Sequence, residues 1–127
     1  MKQKNNNNTL NYNDHINCGI SHAKNGQYKD AENSFLNAKS LDKKKMESYI
    51  NLANLYILTK KIDFSINILS NYLKEIGFHK DIIKLFYKIC RNFDKEEKLK
   101  IYFEEAKLNK LKKENKLNYF FYYKGLY

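Results

Sequence analysis

A chain of 127 residues holds material for a single core, too little for a catalytic domain joined to a separate binding domain. Its 43% apolar and 15% aromatic content exclude wholesale disorder, and its formal net charge of +10 raises nucleic acid or an anionic membrane as a partner. That charge is carried by lysine, with Arg91 the sole arginine among 24 basic residues, a bias that argues against a surface shaped by bidentate phosphate or guanine contacts.

In chain order, residues 1–11 read as a disordered polar start, in which Met1-Lys2-Gln3-Lys4 runs into the asparagine tract Asn5 to Asn8. No apolar leader follows Met1 and no stretch of eighteen apolar residues occurs, so a cytoplasmic protein without a membrane segment is expected. Cys18 and Cys90 lie far apart, each without a close-spaced thiol, which provides neither a disulfide framework nor a zinc knuckle.

From residue 12 the sequence matches itself, without a gap, at an offset of 34 residues. Phe35 falls on Leu69 and Phe103, Ala38 on Tyr72 and Ala106, Cys18 on Leu52 and Phe86, and His22 on Tyr56 and Cys90. Gly19 falls on Ala53, while Tyr87 breaks that column of small residues. Three copies result, at 12–45, 46–79 and 80–113. Each holds two bursts of apolar residues at helical spacing, as in Tyr49, Leu52, Ala53 and Tyr56, then Ile62, Ile66, Leu69, Tyr72 and Leu73. The break between bursts is Asn25-Gly26 in the first copy, where glycine can take positive φ, and Asn92-Phe93-Asp94 in the third, where Asp94 and Glu97 are spaced as a capping box. Each copy therefore reads as helix, tight turn, helix, and must stack on its neighbours to bury its apolar face. No run of alternating β-branched residues predicts a strand, so the expected class is all-α.

Residues 114–127 stand apart. Tyr119, Phe120, Phe121, Tyr122, Tyr123 and Tyr127 crowd into a short C-terminal segment that reads as an aromatic helix, an incomplete fourth repeat or an association surface.

This pattern resembles the tetratricopeptide repeat family. The first copy carries the resemblance best, with Gly19 at the small position of its first helix, Gly26 and Tyr28 at the turn, and Ala31, Phe35, Ala38 and Leu41-Asp42 at the family's spacing in its second. His15, Cys18 and His22 replace the family's Trp, Leu and Tyr, and Lys43, Gly77 and Leu111 replace its helix-ending Pro. The resemblance implies a right-handed superhelix of three helical hairpins plus a C-terminal helix. It also implies a non-catalytic scaffold for protein–protein interaction, binding a peptide or protein segment in a concave groove lined by the first helices of the repeats. On that face lie Asn13, Ile16, Ile20 and Lys24, then Glu47, Ile50, Asn51, Asn54, Ile57 and Leu58, then Asp81, Lys84, Lys88 and Arg91. The partner-groove set is Ile20, Ile50, Asn51, Asn54, Leu58, Lys84, Lys88 and Arg91, running from apolar to basic and suited to a partner with acidic residues at one end. Ile16, Ile50 and Ile57 can equally belong to the inter-repeat core. Of the Lys, Asn and Arg set with which some relatives clamp a terminal carboxylate, only Asn51 is kept, so chaperone-tail binding of that kind is not expected.

His15, Cys18 and His22 share one helix face and carry zinc-ligand chemistry, yet they occupy the columns of Tyr49, Leu52 and Tyr56 and lack a fourth ligand. No metal and no cofactor is expected. Neither a nucleophile with a base in reach nor a glycine-rich phosphate loop is present, and Glu96-Glu97 and Glu104-Glu105 read as solvated surface balanced by nearby lysines. An enzyme is therefore not expected. A competing reading is an N-terminal docking segment of a larger, transferase-like enzyme. RNA binding is disfavoured because the column Ile16, Ile50, Lys84 offers no base-reading pairs.

Overall fold

The computed structural model describes residues 9–108, with side chains as far as Glu105. Six helices follow one another: α1 (Tyr12–Lys24), α2 (Tyr28–Leu41), α3 (Met46–Leu58), α4 (Ile62–Glu75), α5 (Lys80–Asn92) and α6 (Glu96–Leu108). The described residues contain no strand. Residues 1–8 and the aromatic tail with Tyr119, Phe120, Phe121 and Tyr123 lie outside the described residues.

The 34-residue period of the sequence reappears in the backbone. α1, α3 and α5 begin at 12, 46 and 80 and end at 24, 58 and 92, while α2, α4 and α6 begin at 28, 62 and 96. The turn after each of the three first helices holds one residue at positive φ, Gly26 at 77°, Lys60 at 64° and Asp94 at 57°. The amide of the next residue reaches back to the helix in all three, Gln27 N to His22 O at 2.8 Å, Lys61 N to Tyr56 O at 2.7 Å and Lys95 N to Cys90 O at 2.7 Å. Gly26, Lys60 and Asp94 donate in turn to Ala23, Ile57 and Arg91. These paired bonds are the Schellman ending, in which a left-handed residue turns the chain and its neighbours satisfy carbonyls that the helix leaves open. Asp94 thus caps the end of α5. The capping box expected from Asp94 and Glu97 does not form, because a positive φ is incompatible with the extended backbone of an N-cap.

α1 does begin with a capping box: the Asn11 side chain accepts from Asp14 N at 2.8 Å and Asp14 returns the bond to Asn11 N at 3.0 Å. Asn11, assigned above to the unstructured start, is therefore already ordered.

The chain forms two compact units, divided between Lys61 and Ile62, so the division falls inside the second 34-residue copy. In the first unit α2 packs on α1 and on α3, and α1 touches α3. Phe35 and Ala38 of α2 are buried, and the Phe35 ring lies so close to Gly19 that a Cβ there would collide with it. The small residue of α1 is thus the seat of the large one of α2. In the second unit α5 packs on α4 and on α6. Its core holds Ile66, Leu69, Ile82, Ile83, Phe86, Cys90 and Leu99, and Phe86 meets Tyr102 edge to face at a centroid distance of 5.9 Å. Here Tyr87 occupies the place of Gly19 and is itself buried, while Phe103, expected to match Phe35 in the core, is only half-buried.

Phe35→Ala is expected to cost about 3–5 kcal/mol in chemical denaturation, and Phe103→Ala only about 1–2 kcal/mol. Equal losses would place Phe103 in the core as deeply as Phe35. Lys60→Gly relieves a left-handed conformation that costs a side chain roughly 1–2 kcal/mol, offset in part by glycine's greater freedom when unfolded. A net gain of about 0.5 kcal/mol is expected, whereas a loss would mean that the Lys60 side chain contributes contacts of its own.

Candidate functional site

The first unit contains an open trough of about 200 Å³ lined by Ile20, Ala23, Lys24, Phe35, Asn51, Asn54, Leu55 and Leu58. α1 supplies one wall through Ile20 and Ala23, which stand three apart on one helix face. α3 supplies the other through Asn51, Asn54, Leu55 and Leu58, again at spacings of three and four. The Phe35 ring of α2 contributes to the lining between them. Four of the residues assigned to a partner groove, Ile20, Asn51, Asn54 and Leu58, are therefore brought together. Ile50 is half-buried on α3 and does not line the trough, and Ile16 and Ile57 are likewise half-buried.

The trough is apolar at its base and polar at its rim. Leu58 is 56% exposed, and Asn54 and Lys24 are exposed beside it. Asn51 donates through Nδ2 to the carbonyl of Glu47, one turn earlier on its own helix, at 2.9 Å. That bond orients the amide and leaves its Oδ1 to accept from an incoming backbone N–H. Ligand pockets for small molecules usually measure about 300–1,000 Å³, so the trough is smaller than most such pockets.

Lys84, Lys88 and Arg91 belong to α5 of the second unit. Lys84 and Lys88 are exposed, whereas half-buried Arg91 pairs with Glu96 at 3.7 Å. Glu105 pairs with Lys74 of α4 at 3.1 Å. These glutamates are thus balanced across elements rather than along their own helix. A hollow in this unit, about 120 Å³, is lined by Ile66, Asn67, Ser70, Lys74, Phe86, Lys98, Ile101, Tyr102 and Glu105.

His15, Cys18 and His22 lie half-buried on α1, and His22 Nδ1 is 2.9 Å from Gln27 Oε1, a bond in which the ring donates. Among the described residues no group of three His, Cys, Asp or Glu is placed to hold a metal ion. Cys90 is buried, and burial together with Glu97 and Glu96 pushes its thiol up to about 12, which suppresses the thiolate needed of a nucleophile. None of the described helices is long and apolar enough to cross a membrane.

Two tyrosine hydroxyls, those of Tyr56 and Tyr12, hold the trough's walls. Tyr56 of α3 donates to Glu32 Oε2 of α2 at 2.7 Å, and Lys29 approaches the same carboxylate at 3.3 Å. At the other end of α3, Tyr12 of α1 accepts from the backbone N–H of Ser48 at 2.9 Å and lies 3.3 Å from Glu47 Oε1, to which its hydroxyl donates. Lys45 Nζ sits 4.8 Å from the Tyr12 ring centroid, a cation–π contact. Tyrosine in a core column is a signal that its hydroxyl needs a partner, but the column pattern does not identify that partner.

The chain matches no protein-family model, and neither a curated protein nor a solved structure matches it.

These hydroxyls make stability depend on pH. The hydrogen bond from Tyr56 lowers the Glu32 pKa below its ordinary 4.5, so the stability that it supplies is present above that value and lost as pH falls through the lower folded one. Burial, and then Glu32, raise Tyr56, while burial raises Tyr12 and Tyr102 above their ordinary 10.0. Their contribution is complete below about pH 10 and lost as pH rises toward the folded values. In denaturation midpoints measured across pH, Tyr56→Phe should flatten both the acid and the alkaline decline. An unchanged profile in that variant would remove the Tyr56–Glu32 pair from the account.

Proposed function

We propose that the chain is a non-catalytic binding module of the tetratricopeptide-like kind, an array of helical hairpins that takes a peptide segment of a partner protein. The observation that carries this reading is the trough of the first unit. Residues that the family resemblance assigns to a partner groove, Ile20, Asn51, Asn54 and Leu58, line one concavity of a size suited to a peptide side chain. The helix register repeats at 34 residues, as such arrays require, and the raised thiol of Cys90 argues against a cysteine nucleophile there.

The chemistry of the trough defines what it takes. An apolar side chain enters between Ile20 and Leu58, removing both from water, while Asn54 and Asn51 hydrogen-bond the flanking peptide backbone. Lys24 at the rim favours a carboxylate near that end of the peptide. The affinity comes from one anchor and two or three hydrogen bonds, less the cost of ordering the peptide, which places binding in the weak, exchangeable range.

Selection of random peptides on the full chain, followed by calorimetric titration of a recovered sequence, tests the reading. Leu58→Asp should weaken binding by about 10- to 100-fold, the equivalent of burying one leucine, and Asn54→Ala by about 2- to 10-fold. Leu41 is 55% exposed, nearly matching Leu58, and does not line the trough, so Leu41→Asp should leave affinity unchanged. Recovered peptides without an apolar anchor, or equal losses in the two leucine variants, would overturn it.

A further inference from the structure

The exposed face of α5 carries a row of cations that no described ion pair neutralises. Lys80, Lys84 and Lys88 stand four residues apart, on one side of the helix, at intervals of about 6 Å along its axis. All three are exposed. The described ion pairs of this unit engage Lys74 with Glu105, Lys95 with Asp63 and Arg91 with Glu96, and none engages the row. Asp81, the one carboxylate on α5, lies 4.0 Å from His79 Nδ1. Like charges one turn apart disfavour a helix, so the row opposes the fold that displays it.

The row is also particular to its copy. Lys84 occupies the column of Ile16 and Ile50, and Lys88 that of Ile20 and Asn54. A chain merely rich in lysine would not concentrate them in columns that are otherwise apolar or neutral.

We infer that this face of α5 docks an acidic peptide segment whose carboxylates recur every 6–7 Å or so, the spacing of alternate residues on an extended strand. Charge complementarity supplies the attraction, and the match of intervals supplies the selectivity. Nucleic acid fits the face less well. No exposed residue of α5 is aromatic, so bases find no stacking platform on the helix, and exposed Phe93 stands beyond its last turn. Arg91, the residue best suited to phosphate, is already paired with Glu96.

The test titrates the full chain with an alternating glutamate–serine peptide, and separately with a single-stranded oligonucleotide of equal charge, at low and at moderate salt. Lys84→Glu with Lys88→Glu should weaken peptide binding at least about tenfold, and binding should fall as salt screens the exposed charges beyond about 10 Å at 0.1 M. Lys43→Glu with Lys100→Glu changes net charge equally at exposed sites off the row, and is expected to change affinity less than about twofold. Circular dichroism confirms that each variant remains helical. Absence of peptide binding at low salt, equal losses in the two double variants, or tighter binding of the oligonucleotide through Lys84 and Lys88 would each overturn the inference. Leu58→Ser, in the trough of the other unit, should leave binding of this peptide unchanged, which separates failure here from failure of the trough.

Discussion

A left-handed residue two places beyond the end of each first helix governs the arrangement of the rest. Because Gly26, Lys60 and Asp94 take positive φ at the same point of each copy, the helix preceding each one is held to the same thirteen residues. The residue that follows bonds back to the carbonyls of His22, Tyr56 and Cys90, positions that share one repeat column. Each first helix is thus ended by backbone bonds before any side chain packs. In the first unit, where α1 and α2 lie against each other, Gly19 stands opposite Phe35, and the fit of ring to bare backbone excludes any larger residue at position 19.

Only glycine adopts such a conformation without strain, and the second and third copies do without it. Lysine and aspartate at 60 and 94 hold positive φ while the two backbone bonds of each turn close around them. This also explains what was legible. Gly26 announces its turn by residue type, and the 34-residue offset carries that assignment to Lys60 and Asp94. Composition taken locally points elsewhere: an aspartate three residues before a glutamate is a helix-start signal, and at Asp94 it misleads. The helix limits, the all-α class and the columns through Phe35, Leu52, Leu69 and Phe86 are legible because they depend on period alone. The shallow burial of Phe103 is not, since its column holds the buried Phe35 and Leu69 and repeat position carries no measure of depth.

Legibility of the trough divides along the same line. Repeat position is sufficient to place Ile20, Asn51, Asn54 and Leu58 on facing helices, because a helix face is a property of spacing. It does not separate them from Ile50, which shares that face but is half-buried outside the trough. Nor does it reveal Ala23, Leu55 and the Phe35 ring, core residues by type whose edges reach the concavity from below. A trough is made by the gaps between packed side chains, and gaps have no sequence signature. The basic residues of α5 were legible as a charge run, but Lys80 joins the row only when the solvent-facing line of that helix is traced, and Arg91 leaves it through Glu96.

The helix that carries most of the trough is also one that cannot finish its own start. α1 opens on the Asn11–Asp14 box and α5 on His79, whose side chain accepts from Asp81 N, whereas Lys45 offers α3 no side-chain cap. The Tyr12 hydroxyl takes that role from another helix by accepting from Ser48 N. An open N–H at this buried position would cost about 1–3 kcal/mol, so the start of α3 is stable only when α1 is docked against it. At its far end Tyr56 ties α3 to Glu32 of α2. Asn51, Asn54 and Leu58 therefore stand on a helix whose two ends are each held by a different neighbour. The walls of the trough form together or not at all, and any ligand that tightens the contact between α1 and α3 also stabilises the unit that binds it.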